Sequence, residues 1–143
     1  MCGDGTCNGA ETCASCPGDC AAIYFEDDFS DNSAGWTLGY EWQIDSAQAS
    51  LCAAYGADDP DTDHTLTGDN GVAGIVLGGC ATGVMHDYAY LESPVFDTSG
   101  GNAGVVLSFY RWLNSDAPPF MTSDIEVWNG SQWIAVWTQP AFS

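Results

Sequence analysis

The sequence predicts an all-β protein, built as a two-sheet sandwich or jelly roll and preceded by a small cysteine-rich module. Short apolar runs rich in aromatic and β-branched residues recur along the chain, separated by Gly, Pro, Asp and Ser. No stretch combines a helical period with helix caps, so we expect almost no helix. A chain of 143 residues has room for one domain with a hydrophobic core and at most a small additional module.

The cysteine distribution predicts where the module ends. Five of the seven cysteines lie in the first twenty residues, so we place a loop module at 1–21 and the β-domain at 22–143. The full set is Cys2, Cys7, Cys13, Cys16, Cys20, Cys52 and Cys80. The odd number in the module leaves one cysteine for Cys52, for Cys80, for a residue upstream or for no partner. Because Cys2 lies beside the start, we expect the natural protein to continue upstream of Met1.

The cysteine density also predicts disulfides and export. Short glycine-rich segments with this much cysteine are typical of oxidising compartments. We therefore expect a secreted or cell-surface protein whose export signal is not part of this sequence. Zinc is the alternative for Cys13-x-x-Cys16, but no second pair or histidine follows at zinc-ligand spacing. No apolar run approaches the roughly 20 residues that cross a bilayer, so we expect no membrane insertion.

The module has part of the pattern of a calcium-binding loop. Counted from Asp4, residues Asn8 and Gly9 suit positions 5 and 6 of an EF-hand, whereas Thr6 and Ser15 do not suit positions 3 and 12. The loop is therefore not an EF-hand. Disulfides could still bring its oxygen ligands together around calcium: Asp4, Asn8, Glu11 and Asp19. A disulfide knot without metal is the alternative.

This stretch, "CGDGTCNGAETCASCPGDC", resembles the C-G-D-G-x-C…E-x-C-x-x-C-x-x-D-C repeats of bacterial secreted proteins. It is more distantly similar to the Notch repeat, which ends in C-N and D-C and holds calcium. The resemblance implies an extracellular module that binds calcium.

The charge balance excludes several partners. Twenty Asp and Glu face a single basic residue, Arg111, and the formal net charge is −19. Nucleic acid and anionic membrane surfaces would be repelled, and the cationic groups that bind phosphates are absent from the sequence. Clustered carboxylates attract cations such as calcium. The alternative is that the acidic surface serves solubility.

Five apolar runs are predicted strands. The Asn129-Gly130 pair suits a type I′ turn, in which both central residues have positive φ, so the last two runs should form a hairpin. The runs are Val72 to Leu77, Tyr88 to Glu92, Val105 to Leu113, Ile125 to Trp128 and Trp133 to Trp137.

Five motifs resemble those of the MAM-like domain family, and most closely its bacterial relatives on secreted peptidases and surface proteins. In order they are "FSDNSAGW" (29–36), "EWQI" (41–44), "DPDTDHT" (59–65), "YLESP" (90–94) and "LSFYRWLN" (107–114). The resemblance implies a β-jelly-roll sandwich, a role in adhesion or recognition, and a structural cation. One position departs from the family pattern, because Ser30 stands where the family has glutamate.

The resemblance also implies calcium ligands in the β-domain. Asp63 and His64 fall on the family's Asp-His pair, and Asp28 falls on its acidic position before the first-strand phenylalanine. We expect calcium at Asp63 and Asp28, with Glu26 replacing the missing glutamate. The alternative for Asp63 is an Asx turn, and His64 is expected to pack locally. Cys52 and Cys80 flank the acidic loop, and we expect a disulfide between them.

The family comparison further implies that this jelly roll is incomplete at its C-terminus. The family's last strand carries an Asp-Asp pair and runs beside the first strand, whereas this chain stops at "TQPAFS". The first strand, expected near Tyr24 to Phe29, would then have an unpaired edge, which invites pairing with another chain. We expect either a fragment of a longer protein or a subunit completed by strand exchange.

The predicted function is non-catalytic. Neither His64 nor His86 lies beside a G-x-S-x-G turn or a zinc-protease helix. We expect an extracellular binding or adhesion module of a larger protein, stabilised by calcium, whose ligand is a protein or a carbohydrate. Exposed aromatic residues beside polar groups would indicate a sugar. The alternative is a self-assembling structural protein of the cell exterior.

Overall fold

The computed structural model describes residues 4, 8–10, 15–16, 23–50, 57–65, 67–98, 105–116 and 118–141. Within these ranges the regular structure consists of six short strands in antiparallel pairs, with no helix. β1 pairs with β4, β2 with β3 and β5 with β6, which gives three two-stranded sheets. The all-β prediction is confirmed, and the jelly-roll arrangement stays a prediction. The strands are β1 (Thr37–Leu38), β2 (Trp42–Ser46), β3 (Gly71–Ile75), β4 (Leu91–Glu92), β5 (Asp124–Trp128) and β6 (Trp133–Thr138).

Two glycines allow close backbone contacts around the first two sheets. Between β1 and β2, the Gly39 N–H donates to the Tyr90 carbonyl at 2.8 Å, and a Cβ at Gly39 would lie only 2.7 Å from that oxygen. At the start of β3, a Cβ at Gly71 would collide with the backbone of Phe29. The chain before β1 therefore lies directly against β3, and both positions require glycine.

Aromatic side chains hold the segment that precedes β1. Phe25 stacks on Phe96 with ring centroids 5.1 Å apart and meets Trp36 edge-on at 5.7 Å. Trp36 Nε1 donates to Asp27 Oδ2 at 2.5 Å. These contacts fix a series of turns, so the prediction of a first strand over 24–29 is wrong.

Aspartates explain why this segment turns. Asp28 Oδ1 accepts the Ser30 N–H at 3.0 Å, and Asp31 Oδ1 accepts the Ser33 N–H at 2.7 Å. Such local bonds compete with strand pairing. The Ser30 backbone N–H, followed by its hydroxyl, lowers the pKa of Asp28 below 3.8. For Asp31, the Ser33 hydroxyl and then its N–H lower the pKa in the same way.

β5 and β6 form the predicted hairpin with a different turn. Gly130 has a φ of 96°, whereas Asn129 does not have positive φ, so the type I′ prediction is wrong. The loop spans 129–132, and the Asn129 N–H donates to the Gln132 carbonyl at 3.1 Å. Asn129 Oδ1 accepts the N–H groups of Ser131 and Gln132, each at 2.9 Å. The asparagine side chain therefore closes a four-residue loop.

The other predicted strands agree with the structure to different degrees. Residues 125–128 and 133–137 lie within β5 and β6, and 72–77 overlaps β3. Only the last two residues of 88–92 are paired, and 105–113 forms no strand. The last prediction is wrong because strand formation needs a pairing partner as well as β-propensity, and no strand pairs with 105–113 among the described residues.

Little apolar side-chain surface is buried in the described part of the chain. Cys16 and Ala47 are its buried apolar residues, 5% and 8% exposed. Cys16 and Cys80 each take part in a disulfide. The predicted Cys52–Cys80 pair involves a residue outside the described ranges and stays a prediction. Also outside those ranges are Cys2, Cys7, Cys13 and Cys20.

Candidate binding cleft

Residues 105–116 lie between the loop before β3 and the β5–β6 hairpin. On the loop side, Asn114 Nδ2 donates to the Ala57 carbonyl at 2.5 Å. On the hairpin side, Gln139 Nε2 donates to the Asp116 carbonyl at 2.9 Å. The end of the segment is therefore tied to both neighbours.

Side chains of this segment alternate between two clefts. Those of Tyr110 and Trp112 line a cleft of about 320 Å³, which we call the aromatic cleft, and Arg111 lines both clefts. The opposite wall of the aromatic cleft consists of Pro60, Thr62, Asp63, His64 and Val72. The second cleft, about 420 Å³, is lined by Leu107, Phe109, Arg111, Ile125, Val136 and Trp137. Side chains that point to opposite sides at every second residue are characteristic of an extended chain.

A bulge in β6 shapes the second cleft. The pairing changes from Ile125↔Trp137 to Glu126↔Ala135, which leaves Val136 as the additional residue. Bulges redirect side chains, and here Val136 and Trp137 are consecutive residues that both line the cleft.

The redirected Trp137 supports the chain's single basic side chain. Arg111 Cζ lies 3.9 Å from the centroid of the Trp137 ring, a cation–π contact. The contact holds the guanidinium over a residue of the second cleft. Arg111 also lines the aromatic cleft, and it is the single Lys or Arg in a chain of net charge −19.

His64 and Tyr110 both line the aromatic cleft, and their rings stack on each other. The His64 and Tyr110 rings are nearly parallel, 10° apart, with centroids separated by 3.3 Å. Tyr110 is 72% exposed and Trp112 is 55% exposed, so ring surface is available to a ligand. His64 therefore packs on a residue 46 positions later in the chain and not on a local neighbour among the described residues.

Asn70 positions the loop that carries His64. Its Oδ1 accepts the Asp63 N–H at 2.7 Å, and its Nδ2 donates to the Asp61 carbonyl at 2.9 Å. Its own carbonyl accepts the Ala47 N–H at 2.8 Å. Asn70 has a φ of 61°, a left-handed conformation that asparagine tolerates better than most residues. The side chain and the backbone carbonyl of Asn70 together therefore join the loop to the end of β2.

Asp63 bonds to hydroxyl groups of its own loop, so its calcium and Asx-turn interpretations both stay predictions. Its Oδ2 accepts hydrogen bonds from the Thr65 and Thr67 hydroxyls, the second at 3.3 Å. The side chain is half-buried at the edge of the aromatic cleft. It can therefore present a hydrogen-bond acceptor to a ligand while it stabilises the loop.

The other predicted calcium ligands are distributed over the molecule. Asn8 Nδ2 lies 3.4 Å from Asp4 Oδ2 in the module. Glu26 and Asp28 are exposed before β1. Glu11 and Asp19 lie outside the described ranges. Among the described residues, no group of three or more His, Cys, Asp or Glu is arranged to hold a metal ion.

Comparison with known proteins gives no relative. No family model, curated protein or solved structure matches this chain significantly. No helix in the described ranges is long and apolar enough to cross a membrane.

Sequence reasoning identified Asp63 and His64 but missed their partners in the cleft. Asn70 lies outside the five motifs, and the roles of Tyr110 and Arg111 depend on contacts between distant parts of the chain. No local pattern in 105–113 separates the two sides, because apolar residues occupy both odd and even positions of this segment.

Proposed function

We propose that this chain is a non-catalytic extracellular binding or adhesion module of a larger secreted or surface protein, with a fold stabilised by calcium. The aromatic cleft is the observation that carries the proposal. It combines exposed rings with a few polar groups, as ligand sites commonly do, and its volume of about 320 Å³ is in the range of such sites. Its ligand is a protein or a carbohydrate at the cell exterior.

The proposed architecture is a MAM-like jelly roll. Contacts between the five motifs support it, because β1, which directly follows "FSDNSAGW", pairs with β4 in "YLESP" through Thr37↔Glu92. The Trp42 Nε1 donates to the Ala89 carbonyl at 3.0 Å, which joins "EWQI" to the same region. His64 on Tyr110 joins "DPDTDHT" to "LSFYRWLN".

The proposed export is supported by cysteine chemistry. Cys16 and Cys80 each take part in a disulfide, and stable disulfides are characteristic of oxidising compartments. A disulfide-bonded module would add stability to a chain whose described residues bury little apolar surface.

The proposed calcium dependence is supported by charge. Carboxylates in a chain of net charge −19 repel one another unless a cation or proton neutralises them. Calcium that binds only to the folded state then raises the stability of that state by mass action.

The melting temperature should rise in millimolar calcium more than in sodium chloride of equal ionic strength. Asp63→Ala should reduce the rise if the site is in the β-domain, and Asp4→Ala should reduce it if the site is in the module. A calcium response equal to the sodium response contradicts this part of the proposal.

Binding of the labelled chain to intact cells and to immobilised extracellular proteins and polysaccharides tests the function. We expect saturable binding that Tyr110→Ala weakens, since that change removes the stacking partner of His64. Trp128→Ala is the matched control, because Trp128 is 52% exposed and packs on Trp133 away from the cleft. Absence of saturable binding to every surface tested contradicts the proposal.

A second candidate function, self-assembly through strand exchange, is favoured by the unpaired segment 105–113. Its apolar side chains are exposed, with Val106 at 89% and Leu107 at 62%. Unpaired apolar edges recruit other strands. Light scattering across a concentration series should then show growing assemblies, with amides of 105–113 becoming protected from exchange. A concentration-independent monomer excludes this candidate.

A further inference from the structure

We propose that the aromatic cleft binds a neutral oligosaccharide, with one sugar ring stacked on Trp112 and its hydroxyls bonded to Arg111 and Asp63. The inference rests on the proposed binding function and names its ligand class. A sugar ring has two flat faces of C–H bonds and a rim of hydroxyls. It therefore needs an aromatic face together with donors and acceptors at the ring edge.

The lining of the cleft meets these requirements. Trp112 and Tyr110 supply exposed rings, 55% and 72% accessible. Arg111 supplies donors only, and the Asp63 carboxylate supplies acceptors only. Sugar hydroxyls both donate and accept, so they can bond to both groups in the same cleft, which Arg111 and Asp63 both line.

Charge distinguishes a neutral ligand from charged ones. The net charge of −19 opposes the approach of an anionic polysaccharide. Arg111 is the only basic residue in the sequence, so an anionic chain would find no second cationic partner. A cationic peptide would be attracted to the protein as a whole, but in this cleft it would meet Arg111, which lines it. A neutral polyhydroxyl ligand avoids both conflicts.

The cleft is also held in place before a ligand arrives. The Tyr110 ring is stacked on His64, and both residues line the cleft. Asn70 fixes the loop that carries His64 and Asp63. Groups already ordered in the free protein lose little entropy on binding, which favours affinity for a small polar ligand.

Isothermal titration of the whole chain tests the inference. The probes are neutral hexasaccharides of glucose, mannose, xylose and N-acetylglucosamine, with oligogalacturonate and oligolysine as charged comparators. We expect at least one neutral probe to bind and both charged probes to bind more weakly. Trp112→Ala should weaken that binding about tenfold or more, the usual scale for loss of an aromatic contact at the centre of a site. Trp128→Ala should leave it unchanged.

Two further variants keep the test decisive. Trp112→Phe retains a smaller ring and should give intermediate affinity, which guards against a folding defect in Trp112→Ala. Arg111→Lys keeps the charge but loses the planar donor fork, and it should also weaken binding. The inference is overturned if no neutral probe binds, if only charged probes bind, or if the Trp112 and Trp128 variants behave alike. If the chain binds cells or proteins while the sugars neither bind nor compete, the proposed module remains and only its ligand class is wrong.

Discussion

Replacing Asn70 by alanine should destabilise the protein and disorganise the aromatic cleft together. The side chain makes two well-placed hydrogen bonds, a partly buried one to the Asp63 N–H at 2.7 Å and an exposed one to the Asp61 carbonyl at 2.9 Å. The buried bond contributes about 1 kcal/mol and the exposed one about 0.5 kcal/mol. Its third contact, at 3.4 Å to the Ala47 carbonyl, is too long to add much.

Backbone strain adds to this loss. Asn70 has a φ of 61°, and a left-handed conformation costs alanine about 1 kcal/mol more than asparagine, whose side chain can hydrogen-bond locally. The free energy of unfolding should therefore fall by about 2.5 kcal/mol, a large share of the roughly 5–15 kcal/mol typical of a domain. Urea unfolding followed by tryptophan fluorescence measures this change.

Asn129→Ala is the matched control for that experiment. Asn129 Oδ1 also accepts two backbone hydrogen bonds, but in an exposed hairpin loop and without positive φ. The Asn129→Ala change should lower the free energy of unfolding by about 1 kcal/mol and leave ligand binding intact. Equal losses for the two variants, or an Asn70→Ala protein with unchanged binding, would refute the role assigned to Asn70.

Three further predictions concern the turns, the strands and the cysteines. Hydrogen bonds from serines lower the pKa values of Asp28 and Asp31, so both carboxylates stabilise the folded state. Their contribution to the free energy of unfolding is complete above pH 3.8 and is lost as the pH falls below that value. Asp-to-Asn changes at both positions should flatten the fall in melting temperature over that range, and an unaltered profile would contradict this assignment. Gly71→Ala should lower the free energy of unfolding by more than roughly 2 kcal/mol, because the new Cβ collides with the Phe29 backbone. A urea midpoint equal to that of the wild type would show that the chain around Phe29 does not touch the start of β3. Intact mass without reductant should be about six hydrogens below the reduced mass, for three disulfides from seven cysteines, whereas seven free thiols would restore the zinc alternative.

The strands that could be predicted from sequence are those with strong local signals. β5 and β6 combine aromatic and β-branched residues on either side of Asn129-Gly130, and both were found within a residue of their ends. β1, with two residues, is too short to show a period. β2 carries only a brief alternation, with Trp42 and Ile44 half-buried between exposed neighbours, and it was not predicted as a strand.

The candidate site was predicted only in part because it depends on distant contacts. Asp63 and His64 were identified through a motif, whereas the stacking of His64 on Tyr110 joins residues that no local window contains. The calcium and turn interpretations of Asp63 could not be separated in the sequence either. Both need an acidic side chain in a polar loop, and the Asx turn additionally needs a hydrogen bond from a backbone N–H two residues on.

Segment 105–113 shows how the two proposed functions can coexist. Its side chains project to opposite sides, with Tyr110 and Trp112 in the aromatic cleft and Leu107 and Phe109 facing the hairpin. Strand addition uses backbone N–H and C=O groups, which lie in the plane between those two sides. A second chain could therefore pair with the backbone of this segment and leave the rings of the aromatic cleft exposed. Such pairing would also hold the segment extended, so assembly should strengthen sugar binding. A sugar affinity that falls as assemblies grow would mean that the two processes compete for the same surface.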